Sequence, residues 1–277
     1  MMRLSTNMIL YYGGIFDIEK MAQTFEASGY DGVDFNLDLA DFRRELDEAY
    51  FTEIRETLSR HGLAVIQSHA PFPSNYESAE ESEARFAEIV RSFTYARWLG
   101  SGPVVVHPCR AFGVSPEQDY VRNLDFYRRL APYAEEAGVQ IAIENCGASL
   151  TRTPDMLLKL LDELDSKVFT VCFDVGHANL TEIAPPDFIR ALSGRIGVTH
   201  IHDNDGEHDT HTLPYQGTID WDAVTAAFAE IGYTGDLNYE SGNFVKRTPA
   251  DLRPDASKYM ASVGRRLISM IEEKRKR

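Results

Sequence analysis

Residues 200–211 read His-Ile-His-Asp-Asn-Asp-Gly-Glu-His-Asp-Thr-His, and eight of the twelve are His, Asp or Glu. All eight offer nitrogen or oxygen donors, and such a run makes poor helix and poor core. Burying carboxylates and imidazoles costs on the order of several kcal/mol each unless they are paired or metal-bound. A solvated polar loop is the plain alternative. The approach to the run argues past it: Ile196, Val198 and Ile201 read as a buried strand, so the donors emerge where a strand ends.

Similar donors punctuate the rest of the chain. Ser68-His69-Ala70-Pro71, Val106-His107-Pro108, Ile143-Glu144-Asn145, Phe173-Asp174-Val175-Gly176-His177 and Tyr239-Glu240-Ser241 each close a short apolar segment. One such residue is explained by a core hydrogen bond or a salt bridge. Six strand ends each delivering a His, Asp or Glu need a strong organiser, and a divalent cation is the simplest. Glu144, Asp174, His200 and Glu240 supply three carboxylates and one imidazole. That mix suits Mn²⁺, Zn²⁺, Co²⁺ or Mg²⁺ better than soft-ligand metals.

Other donors come in pairs. Asp174 and His177 are three apart across a turn, Asp209 and His211 are two apart and point the same way if extended, and His69 and His107 end neighbouring strands. His69, His107, His177, Asp209 and His211 are candidates for additional metal ions or substrate contact, or for outer residues that orient the ligands. His202 alternates with His200 and is a candidate for substrate contact or for a structural hydrogen bond. Arg110 and the Lys246–Arg247 pair are candidates for a substrate phosphate or carboxylate, with surface charge as the alternative. His61, before Gly62, reads as a helix-end charge and His208 as solvated. Tyr11, Tyr12, Phe35, Phe72 and Phe112 lie near strand ends and could line a pocket. No Gly-rich phosphate loop, Ser-His-Asp order or Cys-x-x-Cys spacing competes.

The elements that must carry these residues alternate along the chain. Strands are expected over residues 4–10, 32–37, 64–68, 103–107, 140–145, 169–174, 195–202 and 235–240, several as continuous apolar runs suited to parallel strands covered on both faces. Amphipathic stretches fall between them: 17–28 before Gly29, 80–99 before Gly100, a helix opening near Pro116 and running to Ala137, one capped by Thr153 with Pro154 at its first turn, 220–231 before Gly232, and 248–271. Eight β-then-α units with no linker predict a single α/β domain over 1–277, a (β/α)₈ TIM barrel. A doubly wound open sheet is the alternative. In such a barrel the strand C-termini and the loops after them carry the chemistry.

Composition narrows the partners. The chain has 277 residues and a formal charge of −15, which argues against nucleic acid as a partner because broad phosphate binding comes from Lys and Arg. No apolar run reaches the roughly 18 residues that span a bilayer. The opening segment lacks the long apolar core of a signal peptide, so a cytoplasmic location is expected. Cys109, Cys146 and Cys172 read as reduced, buried small residues. A homo-oligomer is left open.

Over nearly its whole length the chain resembles the xylose-isomerase-like TIM barrels, a superfamily of sugar-phosphate isomerases and epimerases related to endonuclease-IV-type apurinic endonucleases. The resemblance rests on Tyr30-Asp31-Gly32-Val33-Asp34, Ile143-Glu144-Asn145, Asp174-Val175-Gly176-His177, His200-Ile201-His202-Asp203 and Glu240. It implies that Glu144, Asp174, His200 and Glu240 hold one divalent metal, that Glu144 and Glu240 double as a proton-transfer pair, and that His177 contacts substrate. The endonuclease branch implies more: His69, His107, His177, Asp209 and His211 fall where that branch completes a three-zinc site. The segment from Leu213 to Trp221 looks like the isomerase-type "lpGeGtidw" motif, with Tyr215 in place of its first glycine and Gln216 in place of an acid.

Two mechanisms follow from that likeness. The first is a metal-dependent isomerase or epimerase of a sugar, sugar phosphate or polyol, working through an enediolate with the paired glutamates as acid and base. An inosose-type dehydratase is a close variant. The second is a metal-dependent phosphodiesterase acting on abasic DNA. A metal-binding domain without catalysis is the remaining alternative.

Overall fold

The computed structural model describes residues 1–8, 17–38, 46–146 and 150–276. Tyr11 and Tyr12 lie outside the described residues. Eight parallel strands form one sheet: β1 (Leu4–Asn7), β2 (Gly32–Asn36), β3 (Ala64–His69), β4 (Pro103–Val106), β5 (Gln140–Glu144), β6 (Phe169–Asp174), β7 (Ile196–His200) and β8 (Leu237–Tyr239). Their order is β7-β6-β5-β4-β3-β2-β1-β8. A parallel bridge between Ile201 and Tyr239 brings the two edges together, with Ile201 N–H donating to Asn238 O at 2.7 Å. The expected (β/α)₈ barrel is what the chain forms.

The helices are α1 (Ile18–Ser28), α2 (Glu48–Arg60), α3 (Ala79–Leu99), α4 (Pro116–Ala137), α5 (Pro154–Leu164), α6 (Val175–Asn179), α7 (Pro185–Leu192), α8 (Trp221–Glu230), α9 (Gly242–Arg247) and α10 (Arg253–Arg275). Side-chain caps set several starts: Asp17 accepts from Lys20 N, Ser78 from Glu81 N, and Ser115 with Gln118 forms a capping box. Thr153 stands at the α5 N-cap but makes no side-chain cap bond there. The expected final helix over 248–271 starts later. Residues 242–247 form α9, Thr248 is extended, and a 3₁₀ turn over 250–252 precedes α10. β4, β5, β7 and β8 end one or two residues short of expectation, leaving His107, Asn145, His202 and Glu240 just beyond the ladder, while β6 ends as expected, β3 runs one residue further to His69, and residues 9–10 of the first expected strand lie outside the described residues.

Strand parity layers the barrel interior. Successive side chains on a strand alternate faces, so residues two apart share one. Val105, Ala142, Cys172 and Val198 form a small apolar cluster separate from the main core. Each sits two residues before His107, Glu144, Asp174 and His200 respectively, so an apolar floor lies under those donors. The opposite half of the floor is polar and linked by hydrogen bonds. Ser5 Oγ donates to Asn238 Oδ1 at 2.7 Å, and Asn238 Nδ2 and Gln67 Nε2 each donate to Asp34 Oδ2 at 3.0 Å. All four residues are buried. Outside the strands, Phe25, Phe51, Phe93, Tyr127, Phe188, Trp221 and Phe228 pack the helices onto the barrel.

Candidate metal centre

The C-terminal ends of β5, β6, β7 and β8 bring Glu144, Asp174, His200 and Glu240 together, with their donor atoms within 4.8 Å of one another. His200 Nδ1 sits among the three carboxylates, 3.5 Å from Glu144 Oε1, 3.7 Å from Glu240 Oε2 and 3.8 Å from Asp174 Oδ2. Those gaps are too long for hydrogen bonds. They are close to the spacing of about 3.4 Å expected between tetrahedral donors that each lie about 2.1 Å from one ion. Glu144 Oε1 and Oε2, Asp174 Oδ2 and His200 Nδ1 are all buried with no well-aligned hydrogen bond, although His177 Nδ1 lies 3.1 Å from Glu144 Oε1 and His107 Nε2 2.9 Å from Oε2. Buried orphans of this kind are costly, and a cation satisfies all of them at once. The residues therefore fit a divalent metal.

His200 is aimed by a residue that sequence reasoning left without a role. Its Nε2 lies 3.2 Å from Asp34 Oδ2 in the polar floor, which turns Nδ1 toward the carboxylates. The signal in the sequence was slight, a single acid at an inward position of β2.

A second group stands toward solvent: His177, His202, Asp209 and His211. Asp209 Oδ2 lies 3.1 Å from His211 Nε2 and 3.3 Å from His177 Nε2. His202 is fully buried, stacked on the His211 ring at 3.9 Å, with Nε2 3.0 Å from Asp174 Oδ1 and 3.8 Å from Asp209 Oδ1. His202 thus joins the donor group, which its reading as a substrate contact or structural residue did not anticipate. A third group is His69, His107 and Glu144. There His107 Nε2 is 2.9 Å from Glu144 Oε2 and 3.1 Å from His69 Nε2.

The far nitrogens of three of these rings are tied down. His69 Nδ1 meets Ala70 O at 2.8 Å, His177 Nδ1 meets Asn145 O at 3.0 Å, and His211 Nδ1 meets Glu240 O at 3.0 Å. A carbonyl only accepts, so each Nδ1 is the N–H donor and each Nε2 faces its cluster. Fixing an imidazole through its far nitrogen is how proteins orient metal ligands.

Electrostatics follow from this crowding. Burial alone would raise the Glu144 carboxyl, but the charges of His107 and His200 with the contacts from His107 and His177 hold it well below its ordinary range. Burial would lower the His177 imidazole, and Asp174, Asp209 and Glu144 instead lift it well above. Burial likewise works against protonated His211, yet Asp209 and the charge of Glu240 bring it up to about 9.

Other expected residues take other places. Arg110 is exposed in the loop after β4, its backbone N–H donating to Asn75 Oδ1. Lys246 and Arg247 end α9. Phe35 is core, while Phe72 is 45% exposed, its ring 5.3 Å from that of His69 and 5.1 Å from that of His107. Phe112 lines a cavity of about 320 Å³ with Phe86, Phe126 and Arg122. His61 caps α2 and meets Glu26 and Glu19, and His208 is exposed beside Asp205. Cys109 and Cys172 are buried and Cys146 is half-buried. Cys146 and Cys172 each come within 4.8 Å of a Glu144 oxygen, which reading them as small packing residues missed.

A (β/α)₈ barrel whose strand ends converge on three linked groups of metal-type donors defines the class of this protein. The model for the xylose isomerase-like TIM barrel family matches residues 22–262, and the chain belongs to that family. It is 33% identical over 210 residues to the uncharacterized protein MJ1311 of Methanocaldococcus jannaschii, covering 70% of this chain and 69% of that protein. It is 22% identical over 206 residues to a probable endonuclease 4 of Staphylococcus aureus, covering 66% and 68%. Among solved structures, a D-tagatose 3-epimerase-like protein superposes with a TM-score of 0.81 at 24% identity, covering 99% of both chains. No helix among the described residues is long and apolar enough to cross a membrane.

Proposed function

We propose that this protein is a divalent-metal-dependent isomerase or epimerase of a sugar or related polyol. The observation that carries the reading is the convergence of Glu144 and Glu240, from β5 and β8, on the His200–Asp174 site, where buried oxygens and His200 Nδ1 lack well-aligned hydrogen bonds. Glu144, Asp174, His200 and Glu240 would hold the ion, which when bound supplies Lewis acidity to adjacent carbonyl and hydroxyl oxygens and acidifies the neighbouring C–H. The two glutamates reach that carbon from different strands, one to take its proton and the other to return one. They differ in environment. The Glu144 side chain is 1% exposed among four imidazoles, whereas that of Glu240 is 16% exposed. Glu240 is the more accessible proton carrier, and Glu144 the residue shared between donor groups. Phe72, exposed beside His69 and His107, offers an apolar wall to a substrate in the mouth.

The test is proton exchange. Protein loaded with Mn²⁺ or Co²⁺ is incubated with a panel of ketoses, aldoses and inososes in D₂O, and deuterium incorporation beside the carbonyl is read by NMR. Incorporation that depends on metal and on Glu240 supports the reading; none with any ketose, aldose or inosose tested removes it.

A second reading, a phosphodiesterase on abasic DNA, draws on the donors beyond the first four. His69 and His107 on one side of Glu144, and His177, Asp209 and His211 on the other, could hold two further ions. The −15 charge opposes it, since DNA enzymes gain affinity from cationic contacts. Metal content bears on the choice: close to three equivalents favours the cluster, whereas the sugar chemistry requires only the ion of the inner group. Incision of an abasic duplex by metal-loaded protein would decide for the nuclease.

A further inference from the structure

Asp209 and His211 do not sit on a strand end. They lie in the return segment between β7 and α8, and something must hold that segment against the barrel for their side chains to meet His177. Asp203 is the only carboxylate in the segment that is fully buried, and its neighbour Asn204 is 1% exposed. Asp203 gathers four N–H groups. Oδ1 accepts from Asn204 N at 2.9 Å and Ile219 N at 3.3 Å, and Oδ2 accepts from Trp221 Nε1 at 2.8 Å and Tyr215 N at 3.0 Å. Its backbone pairs with Thr212 in both directions at 2.9 Å, one residue after His211.

Asn204 grips the other partner. Its Nδ2 donates to Gly176 O at 2.8 Å, inside the Asp174–His177 turn, and its Oδ1 accepts from Asn179 Nδ2 at 2.8 Å. Its carbonyl accepts from Thr218 N at 2.9 Å. One residue therefore holds the return segment and the next holds the turn that carries His177.

Two further features show how tightly the segment is seated. A Cβ on Gly217 would run into Asn204 O and Asp203 Oδ1. His211 and Tyr215 occupy the left-handed backbone region at φ 48° and 74°, which non-glycine residues rarely adopt. Tyr215 stands where the related motif has glycine, and its N–H bond to Asp203 helps offset that strain.

We infer that Asp203 and Asn204 are positioning residues that set the separation between His177 and the Asp209–His211 pair, and so build the solvent-side cation site without touching the inner one. This rests on the proposed metal-dependent reading. The solvent-side group offers three imidazoles and one carboxylate and so favours Zn²⁺, whereas the carboxylate-rich inner group accepts Mn²⁺. Titrating wild type, Asp203→Asn and Asn204→Ala with Zn²⁺ and separately with Mn²⁺ by calorimetry tests the inference. Removing the support of a metal ligand typically weakens binding about 10–100-fold, so both variants should show Zn²⁺ binding at the solvent-side group weakened to that extent and Mn²⁺ binding at the inner group unchanged. Tyr215→Gly, which relieves strain and leaves Asp203 intact, should bind both ions as wild type does.

Where Asp203→Asn fails to fold, Gly217→Ala reports the same seating without removing a polar group. Wild-type affinity for both ions in Asn204→Ala and in Asp203→Asn or Gly217→Ala overturns the inference and leaves the proposed function standing. A wild-type protein that takes up neither ion removes the proposed function and the inference with it.

Discussion

The donors around His200 and those around Asp209 are the same residue types held in different ways. Glu144, Asp174, His200 and Glu240 stand at or one step past the ends of four strands, so the barrel ladder that fixes the backbone also fixes them. Of the solvent-side four, His202 lies two residues beyond β7 and His177 in the short helix three residues beyond β6. Asp209 and His211 arrive on a loop, their side chains 41% and 24% exposed, against 0% for Asp174 and His200. The inner group is fixed by the strand ladder, while Asp209 and His211 also depend on a local hydrogen-bond network, so the two groups are expected to fail separately. That difference can be broken or sharpened by experiment.

The largest effect is expected at the two glutamates of the proposed proton-transfer pair. Glu144→Gln and Glu240→Gln should fold normally, as judged by circular dichroism, and lose about 10²–10⁴ in turnover, the usual worth of a positioned acid or base. Near-wild-type rates in either variant would exclude it from the proton-transfer pair. Next comes Asp34→Asn, buried in the polar floor with no route to substrate. It should weaken inner-group metal binding about 10–100-fold, measured by competition with a chelator, while Zn²⁺ binding at the solvent-side group stays intact. Equal loss at both groups would show that they are not independent.

His211→Ala should lower the metal count and leave Mn²⁺ affinity and deuterium exchange within a few-fold of wild type if the chemistry is sugar isomerisation. A collapse of activity would assign the outer group to the reaction and strengthen the phosphodiesterase reading.

The smallest effect is on pH dependence. His211 is raised to about 9, mainly by Asp209 and Glu240 working against burial, from an ordinary value of 6.5. In metal-free protein its contribution to stability is fully present below about pH 6.5 and lost as pH rises through about 9. A cation must displace that proton, so solvent-side affinity should climb between pH 7 and 9. Calorimetric titrations in buffers of different ionisation heats would reveal the released proton; an affinity flat with pH would contradict the assignment of His211 as a ligand.

Much of the inner group was legible because a parallel barrel sends every strand's C-terminus to one face. Glu144, Asp174, His200 and Glu240 could thus be placed at one level from strand endings alone. His69 and His107 were legible for the same reason. His202 was harder, since alternation placed it inward but only the stacking on His211 and the approach to Asp174 show it among the donors. Asp34, Asp203 and Asn204 carried little signal, because their partners lie far along the chain. Asp34 reaches His200 across 166 residues, and Asp203 reaches Trp221 across 18. The glycine missing at Tyr215 was visible as a departure from the motif, and its meaning emerged only with the backbone angle. The late start of α10 was hidden because amphipathic spacing continues through Thr248, where the backbone becomes extended.

The sequence by itself determined the alternation of strands and helices, the single barrel and the strand ends that bear donors, since these follow from residue periodicity and local punctuation. Tertiary structure alone decided how the donors divide into groups, which nitrogen of each imidazole faces the other donors, and which buried carboxylates are tied to distant residues by hydrogen bonds. Those depend on distances between residues remote in sequence, and no local pattern encodes them.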